Sequence, residues 1–262
     1  MLTLDIVTKG GDRINLTEYK ASGKTPGIFL LRGVNGFGIP KVDTRWFEGA
    51  GHGAVYRGSR YGPRDLDLPL LVDGINRNGL KAQTEILDMA LADPFNIEVM
   101  EGSAKWVLKD CVYVGGGTYS YGVDTDGERE LPLIITVRAG QPFWERDTPE
   151  TVSISAGLNT IDSLGTAPSP PIWTVNGPAT LFSAGSPTGQ SITWTGNISS
   201  GQQVIIDTIR GTVETGSGAS IYNELSPAPK FWHLPNGESI IEISGDAGSV
   251  SLSWHPRKRL VI

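Results

Sequence analysis

Three histidines and one cysteine are the side chains of this chain best suited to metal binding or nucleophilic catalysis. His52, His233 and His255 are far apart in the sequence, and none of them belongs to an HxH or HExxH motif. Cys111 is the only cysteine. A zinc site needs about four such ligands, so the sequence predicts none. A catalytic His52 would need an orienting carboxylate and a nucleophile, and the sequence, which has no GxSxG motif, marks neither.

Two pairs of aspartates have a spacing that could suggest catalysis or metal binding. Asp65 and Asp67, like Asp124 and Asp126, are two residues apart and would share one face of a strand, which is by default a solvated face. The segment from Asp124 begins like a calcium loop, but its twelfth position is Ile135 instead of a glutamate. We therefore predict no catalytic residue, no metal ligand and no cofactor.

Neither of the two short segments that resemble phosphate-binding motifs has the required context. The glycines at 115–117 follow a predicted strand, but no helix and no Lys-Ser/Thr pair comes after them. The basic run at 257–259 is short in a chain of net charge −6, so a charged strand edge or a subunit contact is favoured over nucleic-acid binding.

Alternating apolar residues dominate the chain and predict a mainly β protein. The clearest runs are Leu66 to Val72, Leu131 to Val137, and Val250 to Trp254. Cys111 lies in another such run, at 105–114, and is expected to be a small buried side chain. We find neither a secretory signal nor an apolar stretch long enough for a membrane helix, so no membrane insertion is expected and the protein would stay soluble in the cytosol until it assembles.

One segment has helical periodicity instead. Leu80, Thr84, Leu87 and Leu91 form a stripe within 78–92, with Asn78 as the expected cap and Asp93-Pro94 as the stop. A polar segment at 145–151 places a domain boundary near residue 150. We predict an α+β domain at 1–150, a sheet with one helix, and a β-sandwich at 151–262.

The long connection between predicted strands at 33–62 combines eight glycines with several aromatic residues. A structureless loop of that length is unusual in a compact domain and often functional. It is either an irregular excursion packed on its own sheet or an arm that buries Phe37, Trp46, Phe47 and Tyr56 against a neighbouring subunit.

The tryptophans of the second half could be core residues or platforms for sugar rings. Trp173, Trp194 and Trp254 share faces with aliphatic neighbours, which predicts burial. Trp232 lies beside a turn and could be exposed, as a surface aromatic for a sugar or a partner. A carbohydrate-binding module that contacts the host cell surface is therefore the alternative function, and a glycosidase-like enzyme is a third possibility without nameable acids.

The order of several motifs resembles the distal tail proteins of siphophages. In the second half the motifs are PIWTVNGP from Pro171, GQQVIIDT from Gly201 and RGTV from Arg210, then FWHLPNGESII from Phe231 and SWHPR from Ser253. In the first half they are YGPR from Tyr61 and QPFW from Gln141. Gln202 and Ser239 depart from the family's usual glutamate and asparagine.

The resemblance implies an N-terminal belt domain, a C-terminal galectin-like sandwich and a structural role in the virion, at the phage tail tip. The chain would form a homohexameric ring, assembled in the host cytoplasm, that joins the tail-tube protein to a tail-tip or tail-associated protein. DNA would pass through the lumen without specific binding, helped by acidic residues if these line it.

Overall fold

A computed structural model of the chain describes residues 3–16, 26–119 and 128–261. It divides into two compact units, one comprising Met1–Glu145 with Arg259–Ile262 and the other Arg146–Lys258. The division lies a few residues before the predicted boundary at 150, and the chain returns to unit 1 at its end because Val261 is buried in the core of that unit. Asp124 and Asp126 lie outside the described residues.

Unit 1 is built around a large antiparallel sheet. Its elements are β1 (Thr3–Val7), β2 (Arg13–Asn15), β3 (Gly27–Leu30), β4 (Val42–Glu48), β5 (Ala54–Tyr61), β6 (Arg64–Asp73), α1 (Arg77–Ala92), β7 (Phe95–Glu101), β8 (Ala104–Gly116), β9 (Glu130–Ala139) and β10 (Trp144–Arg146). The strand order is β2-β1-β7-β8-β9-β6-β3, and β10 pairs with β8. The alternating leucines of β6 and β9 all point into the core, as their period of two predicts.

Helix α1 covers the apolar face of this sheet with Leu80, Leu87 and Ala90. The helix ends before Pro94, as predicted, but its cap is Asn76 and not Asn78. Asn76 has the extended backbone of a capping residue, and its side chain accepts a hydrogen bond from Gly79 N at 2.9 Å. Asn78 already belongs to the first turn, where its side chain cannot take that role.

Unit 2 is a β-sandwich. Its elements are β11 (Glu150–Ile154), β12 (Gly157–Asp162), β13 (Ile172–Asn176), β14 (Ala179–Gly185), β15 (Ser191–Ile198), β16 (Gln203–Asp207), β17 (Thr212–Thr215), a 3-10 turn (Tyr222–Glu224), β18 (Glu238–Gly245), β19 (Ser249–Trp254) and β20 (Arg257–Lys258). The sheets have the orders β11-β19-β13-β16-β17 and β12-β18-β14-β15, and one core contains residues from both. The predicted mainly β fold with one α-helix is confirmed for the described residues.

Asp246 fixes the turn after β18 to the start of β14. Its carboxylate accepts hydrogen bonds from Thr180 N and Leu181 N, both at 2.8 Å, and from Thr180 Oγ1 at 2.6 Å. These bonds favour the charged form and lower the pKa of Asp246 from its ordinary value to about 2.

We expect Asp246→Asn to destabilise unit 2 at neutral pH. The pKa of Asp246 is lower in the folded state than in the unfolded chain. The stabilisation that its ionised carboxylate provides is therefore fully present above about pH 4 and is lost as the pH falls through about 2. Urea unfolding of wild type and variant between pH 5 and pH 2 measures the difference. A difference that stays constant over that range would contradict the assignment.

Candidate subunit interface: an exposed aromatic hairpin

The glycine- and aromatic-rich connection at 33–62 contains a β-hairpin. Strands β4 and β5 pair antiparallel from Val42↔Tyr61 to Glu48↔Ala54 and form a separate two-stranded sheet. A bulge opposite the Arg45–Trp46 step interrupts the register. An isolated two-stranded hairpin is marginally stable in water, so this one needs either support from its base or a surface to pack against.

The end of this hairpin carries four exposed apolar side chains, which we call the hairpin tip. They are Trp46, Phe47, Val55 and Tyr56, each between 51 and 59 % exposed. Trp46 pairs with Tyr56 across one face, with ring centroids 5.4 Å apart, and Phe47 pairs with Val55 across the other face. Clustered apolar side chains on both faces of a projecting element mark a protein interaction site.

Phe37, the remaining residue predicted to belong to a subunit contact, lies elsewhere. It is half-buried and packs on Trp144 with ring centroids 5.3 Å apart, within the core of unit 1. The chain passes close to β6 at Gly36, where a Cβ atom would lie 2.1 Å from the carbonyl oxygen of Asp65. Phe37 therefore packs within its own unit, and its contact with a neighbouring subunit stays a prediction.

Arg64 holds the base of the 33–62 segment. In the sequence it stood out only as the last residue of the YGPR motif. Its buried guanidinium donates hydrogen bonds to four carbonyl oxygens, those of Gly36, Gly38, Pro142 and Arg259. Burial lowers the pKa of Arg64 to about 10. One side chain thus ties the start of the excursion to β6, to the QPFW segment and to the last residues of unit 1.

The hairpin is basic although the chain as a whole is acidic. Residues 41–61 include four basic residues (Lys41, Arg45, Arg57, Arg60) and two acidic ones (Asp43, Glu48), whereas the whole chain has a net charge of −6. The guanidinium of Arg57 lies 5.5 Å from the centroid of the Phe47 ring. A partner surface for this hairpin is therefore expected to be apolar with acidic residues around it.

The other chemically suggestive residues do not converge on a site. His52 lies exposed in the turn of the hairpin, His255 Nδ1 is 2.8 Å from the carbonyl oxygen of Arg146, and burial raises the pKa of Cys111 to about 12. Asp65 forms a bidentate pair with Arg138, and Asp67 accepts from Thr136. Among the described residues, no group of three or more His, Cys, Asp or Glu side chains is arranged to hold a metal ion.

The basic run at 257–259 is part of the folded structure and not a solvated patch. Arg257 is buried in β20, and its carbonyl oxygen accepts from Thr166 N and Ala167 N at 2.9 and 3.0 Å. The carbonyl oxygen of Arg259 is one of the acceptors of Arg64. These contacts agree with the preference for a strand over a nucleic-acid site. Within the described residues, no helix is long and apolar enough to cross a membrane.

Trp232 is buried, which corrects its prediction as a surface aromatic. It is 3 % exposed, its ring contacts that of Trp173 at 5.7 Å, and its Nε1 donates to Ala184 O at 3.1 Å. Trp173, Trp194 and Trp254 are buried as predicted. No face of Trp232 is available to stack on a sugar ring, because the segment that carries it folds into the sandwich core.

We expect Trp232→Phe to lower the free energy of unfolding of unit 2 by about 1 to 3 kcal/mol, because the buried hydrogen bond to Ala184 O is lost and the smaller ring leaves a gap. Leu158→Ala, on an exposed side chain of the same unit, is the matched control and should change stability little. Denaturant unfolding checks both, and equal stability of wild type and Trp232→Phe would contradict the buried assignment.

Comparisons with known proteins give a family model that matches part of unit 2 and solved structures that share the fold of the chain. Residues 164–257 match the model of the SPP1_Dit family, described as the C-terminal domain of a siphovirus-type tail component. The crystal structure of phage SPP1 Dit (gp 19.1), a hub adsorption protein of phages that infect Gram-positive bacteria, superposes with a TM-score of 0.74 at 15 % identity, over 98 % of this chain and 99 % of that one.

Structures of the phage p2 baseplate in its activated conformation are also similar. The forms with calcium and with strontium each contain a chain that superposes with a TM-score of 0.54, at 10 % and 9 % identity respectively. Both superpositions cover 100 % of this chain and 100 % of the matched chain. No curated protein sequence matches. The resemblance to siphophage distal tail proteins is confirmed by the family match and by the fold.

Proposed function

We propose that this chain is a non-enzymatic structural subunit of a siphophage tail, located in the virion at the tail tip or baseplate hub. The observation that carries the proposal is the similarity to SPP1 Dit over almost the whole of both chains, together with the family match of residues 164–257. Cys111 is buried, and the carboxylates of Asp65 and Asp67 are bound by Arg138 and Thr136, which agrees with structural roles for these side chains.

The subunit works as part of a ring, in this proposal a homohexamer. Unit 1 is the belt domain that forms the ring, and unit 2 is the galectin-like domain. The exposed hairpin tip supports this arrangement, because its aromatic side chains need a partner surface that a neighbouring copy can supply. Contacts between two different surfaces of identical subunits close into a ring when the rotation between neighbours permits it.

The ring joins the tail-tube protein to a tail-tip or tail-associated protein, and DNA passes through its lumen. The net charge of −6 supports passage without retention, since a phosphate backbone gains little from an acidic protein. This part of the proposal requires no specific nucleic-acid contact.

Electron microscopy of the purified chain mixed with tubes of its own phage's tail-tube protein tests the proposal. We expect ring-shaped density at one end of each tube, and free double-stranded DNA in the mixture should stay unbound in a gel-shift assay. Tubes whose ends stay bare at saturating concentrations of the chain would contradict the proposed role.

A further inference from the structure

Unit 1 contains a surface groove that matches the hairpin tip in chemistry. The groove has a volume of about 480 Å³ and lies between the β1–β2 turn and the C-terminal half of α1. Its apolar side chains include Ile86 and Met89, of which Met89 is 69 % exposed. A volume in the range of roughly 300 to 1,000 Å³ accommodates an inserted ligand or side chains.

Two acidic side chains, Asp12 and Asp93, and two basic ones, Lys9 and Arg13, line this groove. Arg13 is engaged by Asp5 and by Glu98, the latter at 2.6 Å. The helix has no basic residue in its last turn, so the negative end of its dipole adds to the acidic field.

We propose that the hairpin tip of one copy of this chain docks in this groove of a second copy. The inference rests on the proposed ring and names its interface. Trp46 and its neighbours pack on Met89 and Ile86, while the arginines of the hairpin face Asp12 and Asp93. Aromatic and arginine side chains are enriched among the residues that anchor protein interfaces.

The proposed contact is head-to-tail, which makes a specific prediction about mixtures. A copy with a damaged groove still offers its hairpin, and a copy with a damaged hairpin still offers its groove. Neither can assemble alone, but together they form one intact interface and stop at a heterodimer. An interface that used the same surface on both copies would not behave in this way.

Sedimentation velocity of Met89→Asp, of Trp46→Ala/Phe47→Ala and of their equimolar mixture tests this inference. We expect each variant to associate at least roughly thirtyfold more weakly than wild type, and the mixture to give dimers. Leu158→Asp, which places the same charge on an exposed apolar position of unit 2, is the control and should assemble as wild type does.

A second pair of variants tests the charges of the interface. Asp93→Arg should weaken assembly without loss of fold, because a cation at the end of α1 is favourable for the helix itself. Arg57→Glu should also weaken it, and the two variants mixed or combined should recover part of the loss. Recovery would support the specific pairing of hairpin and groove.

The outcomes separate this inference from the proposed function. A wild-type assembly that Met89→Asp leaves intact would overturn the groove as the docking site while the ring stands. Higher oligomers of Met89→Asp alone would also overturn it. A wild-type chain that stays monomeric would overturn the proposed ring and this inference with it.

Discussion

Replacing Arg64 with methionine is expected to lower the free energy of unfolding of unit 1 by about 3 to 5 kcal/mol. The substitution keeps an apolar stem but removes the donors to the carbonyl oxygens of Gly36, Gly38, Pro142 and Arg259. The bond to Pro142 is buried and the other three are part-buried. Loss of a donor to a buried acceptor costs about 1 to 3 kcal/mol, partly offset because a buried charge is also removed. The guanidinium also lies 6.0 Å from the ring centroid of Trp144, a contact that is lost with it.

Arg138→Met is the matched control for this prediction. Arg138, on the neighbouring strand β9, forms a bidentate pair with Asp65 of β6, but both side chains are about half exposed, so its loss should change stability much less. Amide hydrogen exchange measures both effects separately in each unit. Protection of β6 and β9 should fall in Arg64→Met while that of β13 and β16 is unchanged, and equal protection in both variants would contradict the role of Arg64.

Replacing both Trp46 and Tyr56 with alanine is expected to weaken assembly of the chain by at least about a hundredfold. Two central aromatic side chains of an interface each contribute about 2 kcal/mol or more to association, and these two pair with each other at the hairpin tip. Because both are more than half exposed, the fold of the separate subunit should lose little stability.

Concentration-dependent light scattering with a thermal unfolding control measures both parts of this prediction. Leu158→Ala/Ile240→Ala removes two similarly exposed apolar side chains from unit 2 and should leave assembly unchanged. The hairpin tip would be excluded as the interface if the Trp46/Tyr56 variant assembled at wild-type concentrations.

Regular patterns in the sequence predicted the regular parts of the fold. The period-two runs of β6, β9 and β19 identified their buried faces, and the stripe of α1 predicted its helix, because each residue's face follows from local geometry alone. The same argument correctly predicted that Trp194 and Trp254 are buried, since each continues an alternating strand.

The sequence did not predict the contacts made by residues in irregular segments. Trp232 follows no strand, and its burial depends on Ala184, which is distant in the sequence and presents its carbonyl oxygen. Phe37 packs on Trp144, which is distant in the sequence, and the acceptors of Arg64 come from three separate segments. Such contacts depend on tertiary structure, for which a single sequence contains no periodic signal. The aromatic content of 33–62 predicts a contact surface, but it did not indicate that a hairpin would present those side chains.

Native mass spectrometry of the purified wild-type chain tests the proposed ring most directly. The proposal predicts a closed species of six subunits, which dissociates to monomers when the hairpin tip is truncated by Trp46→Ala/Tyr56→Ala. A wild-type chain that remains strictly monomeric at high concentration, or whose oligomers survive the loss of both aromatic side chains, would contradict it.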